Sequence, residues 1–578
     1  MTGERAIDTA ADGIEKGKRL IRTGSGQGVS LAERLSDRLQ WLTWRSPLHN
    51  MRLKGRQPLK LIVVPDEPFI GDVRRGKAVL GGNILLRGEA LAIAALDFAN
   101  LQCSRQMVDH LHSFGWLRDL STVATRAQGA PIAEAIMRKW LAAHAEDIAE
   151  PAWRPDYWGR RITAWATHAP LILSSTDLDY RSAVLGAFAR GARHLDRSAD
   201  KAPAGPSRVA AWCGVVTAGL LIPGGDVRRK AGEAGLARAI AASIFADGGV
   251  VARAPMAQID VICQLTALRE AYAARRLAPP PLIEATLARM VPVLLGLCHG
   301  DHGLSSWQGG GPVSGEEIDR IVAATGIRAR PARQTREWGY QRLVAGRALV
   351  IIDAAPPPIA RLAEGGCAST LAFEFSDGAD RVFVNCGGAR MVVAQVPAAL
   401  AEGLRTTAAH STLVVGDSNS TAIYSDGTLG RGVAEVELSR QETDAATRIE
   451  ASHDGYARRF GFVHRRQLVL ASDGRELRGE DTLLPTGKRR KQGLVGFALR
   501  FHLGARVDVS PTADGQAALL RLPGGALWQF RCRGGALSIE QSLWIDAMGI
   551  PQSTHQLVVT AQAPAGGASV SWALKRAA

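Results

Sequence analysis

Residues 405–420, RTTAAHSTLVVGDSNS, set a lone histidine, His410, at the mouth of a short apolar run, with Arg405 just before it and a polar turn just after. An imidazole that titrates near neutrality beside a permanent cation suits proton transfer next to a carboxylate. The competing reading of His410 is structural: a ring nitrogen that satisfies a backbone carbonyl where a strand begins. Two further stretches suit a sugar. PAWRPDYWGRR (151–161) places Trp153, Tyr157 and Trp158, on whose faces sugar rings stack, next to Arg160 and Arg161, whose planar guanidiniums pair two-pronged with carboxylate or sulfate. HGDHG (299–303) brings His299, Asp301 and His302 into a loop, and Trp307 and GGG (309–311) follow as the rim of a cleft. Each has a packing alternative, as rings between helices or as a glycine turn after a helix.

These groups need elements to hold them. From about residue 5 to residue 325, apolar residues recur at three and four positions, the helical period, with Gly and Pro between the runs. Helices are predicted over LAERLSDRLQWLTW (31–44), 130–148, 160–173, 181–197, 227–245, 256–277 and 281–298, the last starting at Pro281, where a missing N–H costs nothing. LKLIVVPDEPFIGD (59–72), broken by prolines, is predicted to run extended over the helical body. After GIRARPARQTREWG (326–339) the period shortens. Alternating or β-branched runs at 340–355, 370–388, 465–484 and 518–545, joined by SDG, DG and GG turns, predict antiparallel hairpins stacked as a sandwich. GKRRKQ (487–492) reads as a solvated basic loop, and His464 and His502 as strand residues.

The chain has 578 residues, more than the ~250–300 that one hydrophobic core supports, so two domains are expected: helical over 1–330 and β-sandwich over 335–578. Hydrophobic content of 46% with 22% charged residues excludes a disordered chain. Seventy Lys and Arg against 55 Asp and Glu give +15, a balance that favours polyanionic partners. Acidic polysaccharide, acidic oligosaccharide and nucleic acid are the polyanions on offer, and no nucleic-acid motif or concentrated basic face accompanies that charge. Seven scattered cysteines without a CxxC pair form neither a disulfide framework nor a zinc knuckle. No apolar run reaches the ~18 residues of a membrane span, and the charged N-terminus lacks the apolar core of a secretory signal.

Several strings carry a resemblance. A helical half followed by YQRL, LAFEFSDG, VNCGG and RTTAAHSTLVV, with PDYWGRRITAWATHAPLIL, FADGGVVARAP, HGDHGLSSWQGGG, GYARRFGFVHRRQLVL, RGEDTLL and FALRFHL in order, resembles bacterial members of the heparinase II/III-like family over most of the chain. The resemblance implies an incomplete (α/α) toroid followed by an antiparallel β-sandwich, with an acidic-polysaccharide site between them. It also implies β-elimination of uronate-containing glycans, in which a cation or Asn neutralises the carboxylate while Tyr and His move the protons. On that basis His410, Arg405 and Asn385 are the expected catalytic set, and Trp158, Arg161, Arg253, His302 and Trp307 the expected substrate contacts.

The chain departs from the family pattern at three places. GGCASTLAFE puts Cys367 where the family carries its histidine, and a thiol is a poor substitute in proton transfer. No tyrosine follows the DGG turn at 247–249, where Arg253 is the anion ligand on offer. Of the family's zinc ligands His410 remains, but Asn385 and Ser369 replace the others, so no metal and no cofactor are expected. Two functions follow: a polysaccharide lyase, or a non-catalytic glycan-binding or envelope-assembly protein that has lost its proton-transfer pair. The resemblance implies the cell envelope or periplasm, with the cytoplasm as the alternative.

Overall fold

The computed structural model describes residues 17–22, 47–55, 58–359, 362, 365–487 and 493–577. The helix predicted over 31–44 and most of the basic loop at 487–492 lie outside them. Helices fill the first half: Arg126–His144, Pro155–Thr167, Leu178–Ser198, Pro206–Leu221, Asp226–Ser243, Pro255–Ala274 and Pro281–Gly296. Pro206–Leu221 is the hub, buried at every position from Val209 to Leu221 and packed against Pro155–Thr167, Asp226–Ser243 and Pro255–Ala274. Close approach there depends on missing side chains. A Cβ on Gly159 would collide with the Ala210 carbonyl, and Gly214 lies against the Gly159 backbone.

The segment 59–72 runs without regular structure across these helices, as expected. It is held by Ile62 N–H to the Leu221 carbonyl (2.9 Å), Gly71 N–H to Thr122 Oγ1 (2.8 Å) and Asp72 N–H to Asp119 (2.8 Å). No helix among the described residues is long and apolar enough to cross a membrane.

Two antiparallel sheets follow. One runs Ala536–Ile545, Pro551–Ala563, Val495–Leu503, Asp380–Val384, Phe373–Asp377, Ala348–Asp353, Tyr340–Ala345, with Leu413–Val415 also beside Val495–Leu503. The other has nine strands, from Gly17–Arg22 and Glu435–Glu442 through Phe462–Ala471 and Ala568–Arg576 to Asp508–Pro511. Its first edge strand is Gly17–Arg22, paired with Glu435–Glu442, so the sequence expectation of helix there is corrected: Leu20 and Ile21 serve a sheet 400 residues away.

The sheets meet over Phe373, Phe383, Phe501, Phe530 and Trp572, with Phe373 stacked on Trp572 at 5.6 Å. Alternation along Phe462–Ala471 marks a strand with one covered face, whereas Ala348–Asp353 is buried at every residue. The reason is a third layer. Tyr340, Leu349, Ile351 and Ala372 belong to the helical core, so the eight-stranded sheet lies between the helices and the outer sheet.

A charged group spans the sandwich core. Arg466, fully buried, donates to Asp481 (2.7 Å) and to the Leu371 and Ser411 carbonyls of the facing sheet, while His464 (2.7 Å) and the Trp572 indole (3.1 Å) complete the Asp481 carboxylate. Burial alone would push that carboxyl up, but Arg466 and His464 outweigh it and hold it at about 2. A carboxyl whose pKa is lower folded than unfolded adds stability that is full above pH ~4 and is lost as the pH falls towards 2. Asp481→Asn should therefore cost about 3 kcal/mol at neutral pH and flatten the loss of stability between pH 4 and 2, measured as urea midpoints against pH.

Candidate functional site

Some of the expected residues, Arg253, Trp307 and Asn385 among them, gather at the seam between helices and inner sheet. Two buried carboxylates organise it. Asp353, the last residue of Ala348–Asp353, accepts from Arg253 Nη2 (2.5 Å), Ser369 Oγ (2.8 Å) and Gln308 Nε2 (3.4 Å). Glu374 accepts from His299 Nε2 (2.9 Å), the Ser306 N–H (3.0 Å) and both the N–H and side-chain amide of Asn385 (3.3 and 3.1 Å). The donors Arg253, Gln308, His299 and Ser306 come from the helical half and the acceptors from the sheet, so each carboxylate ties the layers together.

Cys367 sits beside Asp353 in this network. Its N–H donates to Gln308 Oε1 (3.0 Å) and its sulfur accepts from Gly309 N–H (3.2 Å). Burial pushes the thiol up to about 11, only partly offset by the Arg405 cation. The group at the family's histidine position therefore stays protonated and bonded at neutral pH.

The three expected catalytic residues lie in the interior near this seam, each bonded to another group of the chain. His410 is 2% exposed, and its Nδ1 lies 2.7 Å from the Thr406 carbonyl, so Nδ1 carries the proton. Burial pulls its pKa below the ordinary histidine value, and the carbonyl only partly restores it. Arg405 spends its guanidinium on the carbonyls of Gly366 (2.8 and 2.9 Å) and Gly427 (2.7 Å). Asn385 donates to Ser306 O as well as Glu374 and accepts from Ser411 N–H (3.0 Å). In each case an interior position makes the polar side chain a brace for backbone, the structural use weighed for His410.

Four of the five expected substrate contacts are buried too. Trp158 and Arg161 lie inside the helical core, Arg253 is consumed by Asp353 and by the Trp338 and Pro356 carbonyls, and Trp307 packs on Tyr340 with its indole bonded to Ser305. His302 alone of the five is exposed, and it pairs with Asp319 across 3.4 Å. Among the described residues no group of three His, Cys, Asp or Glu is placed to hold a metal ion.

Beside the seam the helical layer carries a half-buried polar cluster that sequence reasoning only partly found. Arg154 is held two-pronged by Asp156 (2.8 and 3.1 Å) and Arg160 by Asp260 (2.5 and 2.6 Å), and the Tyr157 hydroxyl donates to Asp109. Arg160 and Tyr157 were legible in PDYWGRR. Asp260, 100 residues on, had no local signal. The loop after Asp380–Val384 then straps the seam: Arg390 N–H reaches Gly309 O (3.2 Å), Gln106 reaches Arg390 O (3.2 Å), and Ala394 N–H reaches Arg87 O (2.9 Å).

Residues 327–573 match the family described as heparinase II/III-like, C-terminal. The match covers the sheet half of the chain and stops where the helices begin. A curated relative, FtsZ-localized protein C of Caulobacter vibrioides, is 29% identical over 555 residues, covering 92% of each chain. Heparan sulfate lyase HepC from Pedobacter heparinus superposes with a TM-score of 0.57 at 13% identity, over 91% of this chain and 87% of that one. Chondroitin AC lyase from Streptomyces coelicolor A3, solved with chondroitin sulphate, gives 0.51 at 10%, over 94% and 82%. The likeness to the lyases establishes the fold: a helical, toroid-like region followed by antiparallel sheets.

At this seam the thiols report whether the layers part. Cys367, pushed up to about 11, and Cys386, pushed up to about 12, should resist iodoacetamide in the native protein at neutral pH and react fully in denaturant, read by mass spectrometry. Native labelling of Cys367 would show that the seam opens.

Proposed function

We propose that this chain is a non-catalytic protein of the lyase fold that works by binding, at the site where FtsZ assembles. The observation that carries the proposal is the state of the seam, where the position expected to hold a proton-transfer histidine is a buried, protonated, hydrogen-bonded Cys367. A positioned acid or base contributes roughly 10²–10⁴ in rate, and an arrangement with neither available has little elimination chemistry left. The half-buried arginines of the helical layer support the same reading, since Arg154 and Arg160 already hold carboxylates of this chain and a uronate would have to displace them. The relative that aligns along 92% of both chains is named for its localisation with FtsZ, not for an activity.

One observation favours a second reading, a lyase acting on a uronate-containing glycan. The Tyr157 hydroxyl lies on Asp109 with the Arg154 guanidinium 4.6 Å from its ring centre, a phenol and a cation side by side. Burial pushes that phenol above its ordinary value, which keeps it protonated.

Two measurements separate the readings. Incubated with heparan sulfate, chondroitin sulfate, hyaluronan and alginate, the protein should release no ultraviolet-absorbing unsaturated uronate, and Cys367→His should not confer the activity. Sedimented with polymerised FtsZ, it should pellet, and a fluorescent fusion should gather at the division site. Product release that is abolished by Tyr157→Phe would establish the lyase instead.

A further inference from the structure

Inside the helical layer lies a second site that the seam does not use. Arg161 is fully buried, and no ion pair joins it to any carboxylate among the described residues. Its Nε and Nη2 donate to the carbonyls of His112 (3.0 and 2.8 Å) and Ala152 (3.0 Å), while Nη1 has no acceptor. Rings surround it. The Cζ atom is 4.2 Å from the centre of Trp140, 4.4 Å from Trp158, 5.7 Å from Phe114 and 6.0 Å from Trp165. Trp158 and Trp165 are themselves in contact, centres 5.9 Å apart, and Phe114 touches both Trp165 (5.2 Å) and Trp116 (5.5 Å). The indole N–H groups of Trp116, Trp158 and Trp165 are buried and, like Nη1, lack an acceptor. Other indoles of the same core are satisfied: Trp140 donates to His112 Nδ1 and Trp153 to the His144 carbonyl.

One aromatic cluster therefore holds a guanidinium, which burial pulls well below its ordinary pKa and which an anion would help to keep charged, and a set of N–H donors with nothing to receive them. Buried donors in folded proteins are almost always paired, and a buried cation is normally paired with an anion. Ring faces attract the guanidinium but take no hydrogen bond from the indoles. The nearby acceptor without a partner, His144 Nδ1, belongs to a ring that burial keeps neutral, so it cannot supply the charge. Water would accept the bonds but leave the charge uncompensated.

We propose that Arg161 Nη1 and the indole N–H groups of Trp158 and Trp165 bind a small monovalent anion of the halide class, which acts as a structural ligand of the helical layer. The site lies away from the seam and is independent of whether the chain binds or cleaves glycan. A ligand that binds only the folded state raises thermal stability in proportion to its occupancy. The melting temperature of the full chain should thus rise saturably, by a few degrees, as chloride replaces gluconate at constant ionic strength. Trp158→Phe, which keeps the ring and removes the N–H, should shift that response to higher chloride concentration, and Arg161→Met should abolish it. Crystals grown in bromide should show an anomalous peak beside Arg161 Nη1. Equal melting temperatures in chloride and gluconate, or a response that survives Trp158→Phe unchanged, or bromide crystals without the peak, would overturn the proposal. Should Arg161→Met fail to fold, the Trp158→Phe comparison and the anomalous map decide the matter.

Discussion

The hydrogen bonds accepted by Asp353 and Glu374 are what the rest of the molecule depends on. Both side chains are fully buried where the helices meet the inner sheet, and between them they take bonds from Arg253, Gln308, His299 and Ser306 of the helical half. A carboxylate withdrawn from water is costly unless cations and donors replace its hydration, and here the replacements come from across the seam. Parting the layers would leave Asp353 without Arg253 and Glu374 without His299. The helices and sheets therefore behave as one body, and the apolar contacts of Leu349, Ile351 and Ala372 with the helical core reinforce that union.

This weld explains the fate of the expected chemistry. His299, Asn385 and Arg253 are the residue types that polarise or protonate a sugar acid, yet each is already used by a carboxylate or a carbonyl of the chain. The histidines follow the same course: burial lowers the pKa of His299, His410, His464 and His502, so they stand neutral and bonded within the interior. Positive charge near the seam is balanced locally, Arg160 by Asp260, Arg154 by Asp156 and Arg381 by Asp301. The excess of +15 consequently says little about the seam, because it is a sum over the surface of the whole chain.

Helical periods, Pro281 at a helix start and the DG and GG turns were enough to read the order of elements, because each is a local signal spanning a few residues. Gly17–Arg22 escaped such reading because its reason for being a strand is Glu435–Glu442, distant in sequence. The candidate site escaped for the same reason on a larger scale. Nothing local to Asn385 tells that Glu374 lies beside it and that Ser411 closes its other side, and nothing in PDYWGRR tells that Arg161 points into the core while Arg160, its neighbour, meets Asp260 at the surface. A helix places adjacent residues about 100° apart, so two arginines in sequence face different environments, and only packing decides which one a ligand could reach.

The proposed binding role fits a seam fixed in this way. Lyase chemistry needs groups that change protonation within reach of a substrate, and a network in which Arg253, His299, Asn385 and Cys367 are bonded within the chain resists both the approach and the change. The same network makes a partner's docking inexpensive, since surfaces carried on a rigid body lose little freedom on association. The strap through Arg390, which joins sheet, Gly309 and the helix Arg105–Ser113, extends that rigidity. The physical economy of the fold thus runs in one direction. Each polar side chain spent on holding helices to sheet is one withdrawn from chemistry, and what remains outside the seam is a stiff, arginine-rich exterior on which binding can be built.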